Sequence, residues 1–220
     1  MGKIKEYKKK MMGISFKSYI KRVGWPAVDG QFPHQVHLRL VTPTGTLNAL
    51  ITCFKTQVFV RLGGINVTMP GLILEATDFF VHPQYNPNNA NNDVALVNLG
   101  RRVPSSATIR PIRLPGKDAL NETYVGALAT ASGWGRIGNS KILLTTSFFY
   151  SSLCSIKLCS KTTGDSGGPL IHVEDDGIPT LIGVVSFVND NGCDYDSASG
   201  YVRPQFFLDW INESIAAGKR

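Results

Sequence analysis

From about Val23 onward the chain is a succession of short β-prone runs, each cut off by glycine, proline or asparagine, and this punctuation restricts it to antiparallel β structure, a sandwich or a barrel. Gln35–Leu40, Gln57–Leu62 and Leu181–Phe187 are the clearest runs. The loops between them are rich in asparagine and proline, most densely at Asn86–Asn92. Only the stretch from Pro204 to Ala217 departs from this pattern, because Phe207, Leu208, Trp210, Ile211 and Ile215 mix spacings of three and four, as one amphipathic helix requires. That helix is expected to clamp the β structure. At 220 residues and 43% hydrophobic content, with no internal repeat or linker, the chain fits a single domain able to bury a sizeable core.

The formal charge of +7 belongs to the leading segment alone. Residues 1–22 carry eight Lys and Arg against Glu6, and the rest of the chain balances at 15 basic and 15 acidic residues. A neutral folded part excludes a basic groove, so no nucleic-acid partner is expected. Residues 1–22 read as a disordered leader or propeptide, since the apolar core after the lysines is too short for an export signal. No run approaches the ~20 apolar residues needed to span a bilayer, and no membrane partner is expected.

The most informative segment is Gly164-Asp165-Ser166-Gly167-Gly168-Pro169, an acid and a hydroxyl in a loop where three glycines permit unusual backbone angles. A serine hydroxyl becomes a nucleophile only when a neighbouring base takes its proton and backbone N–H groups hold the oxyanion that forms. Gly164 and Ser166 are placed to supply those donors.

On these residues the chain resembles the trypsin/chymotrypsin family of serine proteases, over nearly everything after residue 22. The resemblance extends to Asn92-Asp93-Val94-Ala95-Leu96, Ser132-Gly133-Trp134-Gly135, His82-Pro83-Gln84-Tyr85, Gly30-Gln31-Phe32-Pro33 and Phe207-Leu208-Asp209-Trp210-Ile211, all in family order and in the style of insect chymotrypsin-like or collagenase-like enzymes. It implies an all-β fold: a chymotrypsin-like double antiparallel β-barrel with a C-terminal helix. It makes Ser166 the nucleophile, Asp93 the carboxylate that orients the base, and Gly164 and Ser166 the oxyanion hole. Arg22, Val23 and Asp165 would form the activation site, where cleavage after Arg22 frees an amine for Asp165. Ser160, Ser186 and Val188 would line the specificity pocket; with no buried acid there, small or medium apolar side chains would be preferred. No cofactor and no metal are implied. The expected partners are protein or peptide substrates or protease inhibitors, and the expected setting is a monomer outside the cell.

The departures from the family decide the chemistry. The family's histidine stands in an Ala-Ala-His-Cys motif, and here Ile51-Thr52-Cys53 places Thr52 in the base position. A threonine hydroxyl holds its proton far too tightly to act as a base near neutral pH. His34, His37, His82 and His172 each fall elsewhere in the family layout. The preceding Cys-Gly-Gly-Ser strand is also missing, so the first barrel is expected to be incomplete. Of the four cysteines, Cys53 and Cys193 match halves of family bridges without their partners, and Cys154 and Cys159 resemble the remaining pair. Losing such bridges would typically cost ~2–5 kcal/mol each, so a weakened fold is expected.

The expectation is therefore a leader over 1–22 and a protease domain over 23–220, from a serine endopeptidase family but inactive as written. The alternative is a non-catalytic homologue that serves as a binding cofactor or decoy. An active enzyme whose chain here lacks internal segments would explain the clustering of losses at short, cysteine-orphaned places. The triplets Asn66-Val67-Thr68, Asn121-Glu122-Thr123 and Asn212-Glu213-Ser214 have the form of glycosylation acceptors and suit a secreted protein.

Overall fold

Alternation of side chains along the strands builds the core. In the computed structural model, which describes residues 25–42, 45–47, 57–76, 78–134, 145–150, 166–188 and 199–218, strand β4 (Gln57–Leu62) turns Val58, Val60 and Leu62 inward and its polar and larger residues outward. It pairs antiparallel with β2 (Val36–Thr42) and β5 (Leu72–Glu75), and β3 (Gly45–Leu47) completes the order β3-β2-β4-β5. Val60, Leu62 and Leu74 form a buried core, on which the half-buried Leu38, Val97, Leu99 and Ile109 pack without being buried themselves. Each of the three buried side chains stabilises the fold by roughly 1.5–3 kcal/mol. Strands β6 (Asp78–Val81) and β7 (Ala95–Asn98) form a separate antiparallel hairpin.

The second half is a six-stranded antiparallel sheet. Its members are β1 (Trp25–Pro26), β8 (Leu128–Gly133), β9 (Thr145–Tyr150), β10 (Pro169–Val173), β11 (Pro179–Val188) and β12 (Ser199–Val202), in the order β1-β9-β8-β10-β11-β12. Tyr124, Ala129, Ala131, Leu170 and Ile182 form its core. Among the described residues neither large sheet pairs its first strand with its last, and each remains open. Contacts tie the two halves together: Ser132 donates to Gln35 Oε1 at 2.6 Å, and the Trp134 indole donates to the Ile65 carbonyl at 2.8 Å.

The strands foreseen from the sequence are present, and the helical stretch begins differently. Pro204–Phe207 forms a 3₁₀ turn, and the α-helix α1 spans Leu208–Ala217. Proline at the start of that turn has no N–H to leave unpaired. The helix ends where Gly218 donates its N–H to Ser214 O at 3.0 Å. The 3₁₀ turn, α1 and its C-cap together clamp the β structure: Phe207 and Trp210 enclose the His82 ring at centroid distances of 5.3 and 5.0 Å, and Asn98 Nδ2 reaches Gly218 O at 3.5 Å. No helix among the described residues is long and apolar enough to cross a membrane.

Candidate active site

Ser166 stands exposed on the turn that feeds β10. The turn needs glycine at its second position, because Gly167 has φ +80°, a left-handed conformation that costs a side-chain-bearing residue about 1–2 kcal/mol. Two backbone bonds then fasten it to β11: Gly167 N–H donates to Val185 O at 2.8 Å, and Val185 N–H donates to Gly168 O at 2.9 Å.

Asp93 is half-buried at the end of the asparagine-rich loop, just before β7. That loop is knitted by its own side chains, which explains its composition. Asn86 Oδ1 accepts from Asn88 N–H at 3.0 Å, Asn89 Oδ1 accepts from Asn91 N–H at 3.1 Å, and Asn92 Nδ2 donates to Gln84 O at 3.0 Å. Ala90 and Asn92 both take φ +54°. Asp93 Oδ2 then accepts a hydrogen bond of 2.6 Å from the Ser186 hydroxyl.

Strand β11 therefore joins the two motifs through consecutive residues. The main chain of Val185 holds the serine turn, and the side chain of Ser186 holds the carboxylate. Nothing in the sequence marks this use of Ser186, which lies 93 positions from its partner. Its pocket assignment rests on resemblance, whereas its hydroxyl is committed to Asp93. Val188 ends the same strand. Thr52, Gly164, Asp165, Arg22, Val23 and Ser160 lie outside the described residues, as do the four cysteines.

All four imidazoles are engaged elsewhere. His34 meets Phe32 edge-on, with ring centroids 6.1 Å apart, and its buried Nε2 has no hydrogen-bond partner. Burial lowers its pKa to about 4. His37 packs edge-on against Trp134 at 5.4 Å; burial, then Arg61 and Arg39, lower its pKa too. His82 sits between Phe207 and Trp210, and its Nδ1 accepts from Gln84 N–H at 3.2 Å. His172 Nδ1 donates to Leu128 O at 2.8 Å, and its Nε2 faces Glu174 at 3.9 Å. Tyr124 stacks edge-on against that ring and donates to Glu174; its own pKa is raised to about 12, first by burial and then by Glu174. None of these contacts is with Asp93 or Ser166.

Ser186 thus holds the Asp93 carboxylate and the glycine turn presents Ser166, and none of these contacts of the four imidazoles reaches either side chain. Among the described residues, no three His, Cys, Asp or Glu side chains converge as a metal site would require.

Comparison with known proteins gives a consistent outcome. The family model described as Trypsin matches residues 22–211. Among curated relatives, the collagenase of Hypoderma lineatum is 29% identical, covering 87% of this chain and 85% of its own length. The brachyurin of Leptuca pugilator is 29% identical, with 86% and 95% covered, and chymotrypsin-2 of Vespa crabro is 27% identical, with 87% and 98% covered. A solved structure of HL collagenase superposes with a TM-score of 0.71 at 25% identity, covering 88% of this chain and 97% of that one. A second, GrC, superposes with a TM-score of 0.72 at 20% identity and shares the fold.

Proposed function

Because the chain belongs to the trypsin family of serine proteases and has its chymotrypsin-like fold, we propose that it retains the seryl nucleophile and orienting acid of a serine endopeptidase but does not turn over peptide bonds. In this reading Ser166 is the nucleophile, Asp93 the orienting carboxylate, and Gly164 and Ser166 the oxyanion donors. Thr52 occupies the base position. The observation that carries the reading is that every imidazole of the chain is packed against groups other than Asp93 and Ser166. A seryl hydroxyl without a base keeps its proton, and attack on a carbonyl stalls at the first step.

What remains to such a domain is binding. It would act as a cofactor or decoy for protein or peptide substrates and for protease inhibitors, outside the cell, as a monomeric domain over 23–220 behind a leader over 1–22. Activation by cleavage after Arg22, with Val23 reaching Asp165, and apolar selectivity at Ser160, Ser186 and Val188 belong to the same proposal.

The test is reaction with a serine-directed fluorophosphonate. The chain is expected to stay unlabelled. Thr52→His is expected to raise labelling at Ser166 by at least ~10²-fold, the lower range of a general base's contribution. Stoichiometric labelling of the parent chain at Ser166 would refute the proposal.

A further inference from the structure

Three Asn-x-Ser/Thr triplets lie in the chain, and the structure treats them differently. In the loop between β4 and β5, Asn66 and Thr68 are both exposed, and Asn66 Oδ1 accepts from the Thr68 N–H at 2.9 Å and from the Thr68 hydroxyl at 2.7 Å. This is a turn closed by the side chain of its first residue. The amide and the hydroxyl face one another as a single epitope. The turn commits the amide oxygen and leaves the nitrogen as the atom it does not use.

The loop around this turn is fixed. Trp134 holds the Ile65 carbonyl at 2.8 Å, Asp29 accepts from Ile65 N–H at 3.2 Å, and Arg61 donates to Val67 O at 2.5 Å. Gly71 N–H closes the base of the loop on Gly63 O at 3.2 Å. A bulky group on Asn66 would stand outside both cores.

Neither of the other two triplets shows hydrogen bonds from its Ser or Thr back to its Asn side chain. Asn212 lies within α1, where residues two apart point to different sides, and Ser214 is buried while Asn212 is exposed. Asn121 ends the 3₁₀ turn Lys117–Asn121, and the bonds around Thr123 run to Glu122 and Val125, at 2.9 and 3.5 Å.

We infer that Asn66 is the preferred N-glycosylation acceptor of this chain. The inference rests on the proposed placement outside the cell, since the donor, a lipid-linked oligosaccharyl diphosphate, is met on the secretory route. Asn66 Nδ2 would attack the anomeric carbon of the first sugar. The bond from that carbon to the diphosphate oxygen breaks, the diphosphate leaves with the electron pair, and the amide proton passes to a base of the transferase. The turn spans three residues, Asn66 to Thr68, and needs no tertiary contact, so it is available to a chain that has not yet folded.

The experiment places the full chain behind a cleavable secretion signal in a eukaryotic cell and analyses intracellular and secreted pools by peptide N-glycosidase treatment in heavy-oxygen water with peptide mass mapping. The expected result is one mobility step removed by the enzyme, heavy aspartate at position 66, and lower occupancy at 121 and 212. Asn66→Gln and Thr68→Ala should each abolish the step, and Thr68→Ser should retain it. Because the sugar is added before folding, a variant that misfolds still reports its occupancy in the intracellular pool. An unmodified Asn66, or occupancy there no greater than at Asn121 or Asn212, overturns the inference. Forced routing separates the two claims: retention of the native chain inside its own cell would sink the placement alone.

Discussion

Replacing Ser186 by alanine tests whether β11 holds the acid of the site. The substitution removes one hydroxyl that donates to Asp93 Oδ2 at 2.6 Å, and leaves a half-buried carboxylate one donor short. A hydrogen bond to a charged acceptor contributes a net ~1.5–3 kcal/mol. With a urea dependence of ~1–3 kcal/mol per molar, the unfolding midpoint should fall by about 1 M. The cleaner quantity is the coupling in a double-mutant cycle of Ser186→Ala and Asp93→Ala, read from equilibrium urea unfolding. Ser186→Ala should cost the full amount in the parent and no more than ~0.5 kcal/mol once the carboxylate is gone, because the alanine then deprives nothing of a partner. If the two substitutions add to within ~0.5 kcal/mol, the serine does not hold the acid and the joining role of β11 is refuted.

Three further outcomes follow from the same geometry. Burial holds His34 at a pKa of about 4, below the 6.5 of an unfolded histidine, so the unfolded chain binds the proton more readily between those values. Stability should fall as pH drops from 6.5 toward 4 and level off below; His34→Phe should flatten that slope, His37 retaining its own part, and an unchanged slope in urea midpoints would contradict the assignment. His82→Ala removes ring contacts to Phe207 and Trp210, each worth ~0.5–1.5 kcal/mol, and should lower Tm by several degrees while His82→Phe keeps most of it. Gly167→Ala meets no atom within 4 Å, so its cost should be the backbone's alone, about 1–2 kcal/mol; a much larger loss in thermal unfolding would mean steric conflict instead.

The strands are legible in the sequence where side chains alternate and turn residues bound them, as at Gln57–Leu62 with Val58, Val60 and Leu62 inward. The serine turn is legible for a local reason, since Gly167 answers a backbone angle that only its neighbours set. The link from Ser186 to Asp93 is not, because it depends on how a strand near residue 186 crosses a loop near residue 93, and no local pattern encodes that meeting. His82 shows the same limit: its HPxY setting places it in a loop, but its burial between two aromatic rings comes from a helix more than a hundred positions later. The 3₁₀ start of the helical stretch also escapes the periodicity, which sees apolar spacing and not the number of residues per turn.

The hold of the Phe207–Gly218 segment on the β6–β7 hairpin has a bearing on how the protein comes into being. Asp93 sits between the two strands of that hairpin, and the hairpin is steadied by Phe207, Trp210 and Gly218. A growing chain that has already delivered Asp93 and Ser166 to the outside of the ribosome still lacks the segment that packs on His82 and Asn98. The contacts of His82 and Asn98 with that segment therefore form only after synthesis has passed residue 218, and a product truncated before Phe207 would carry both motifs on a hairpin without them.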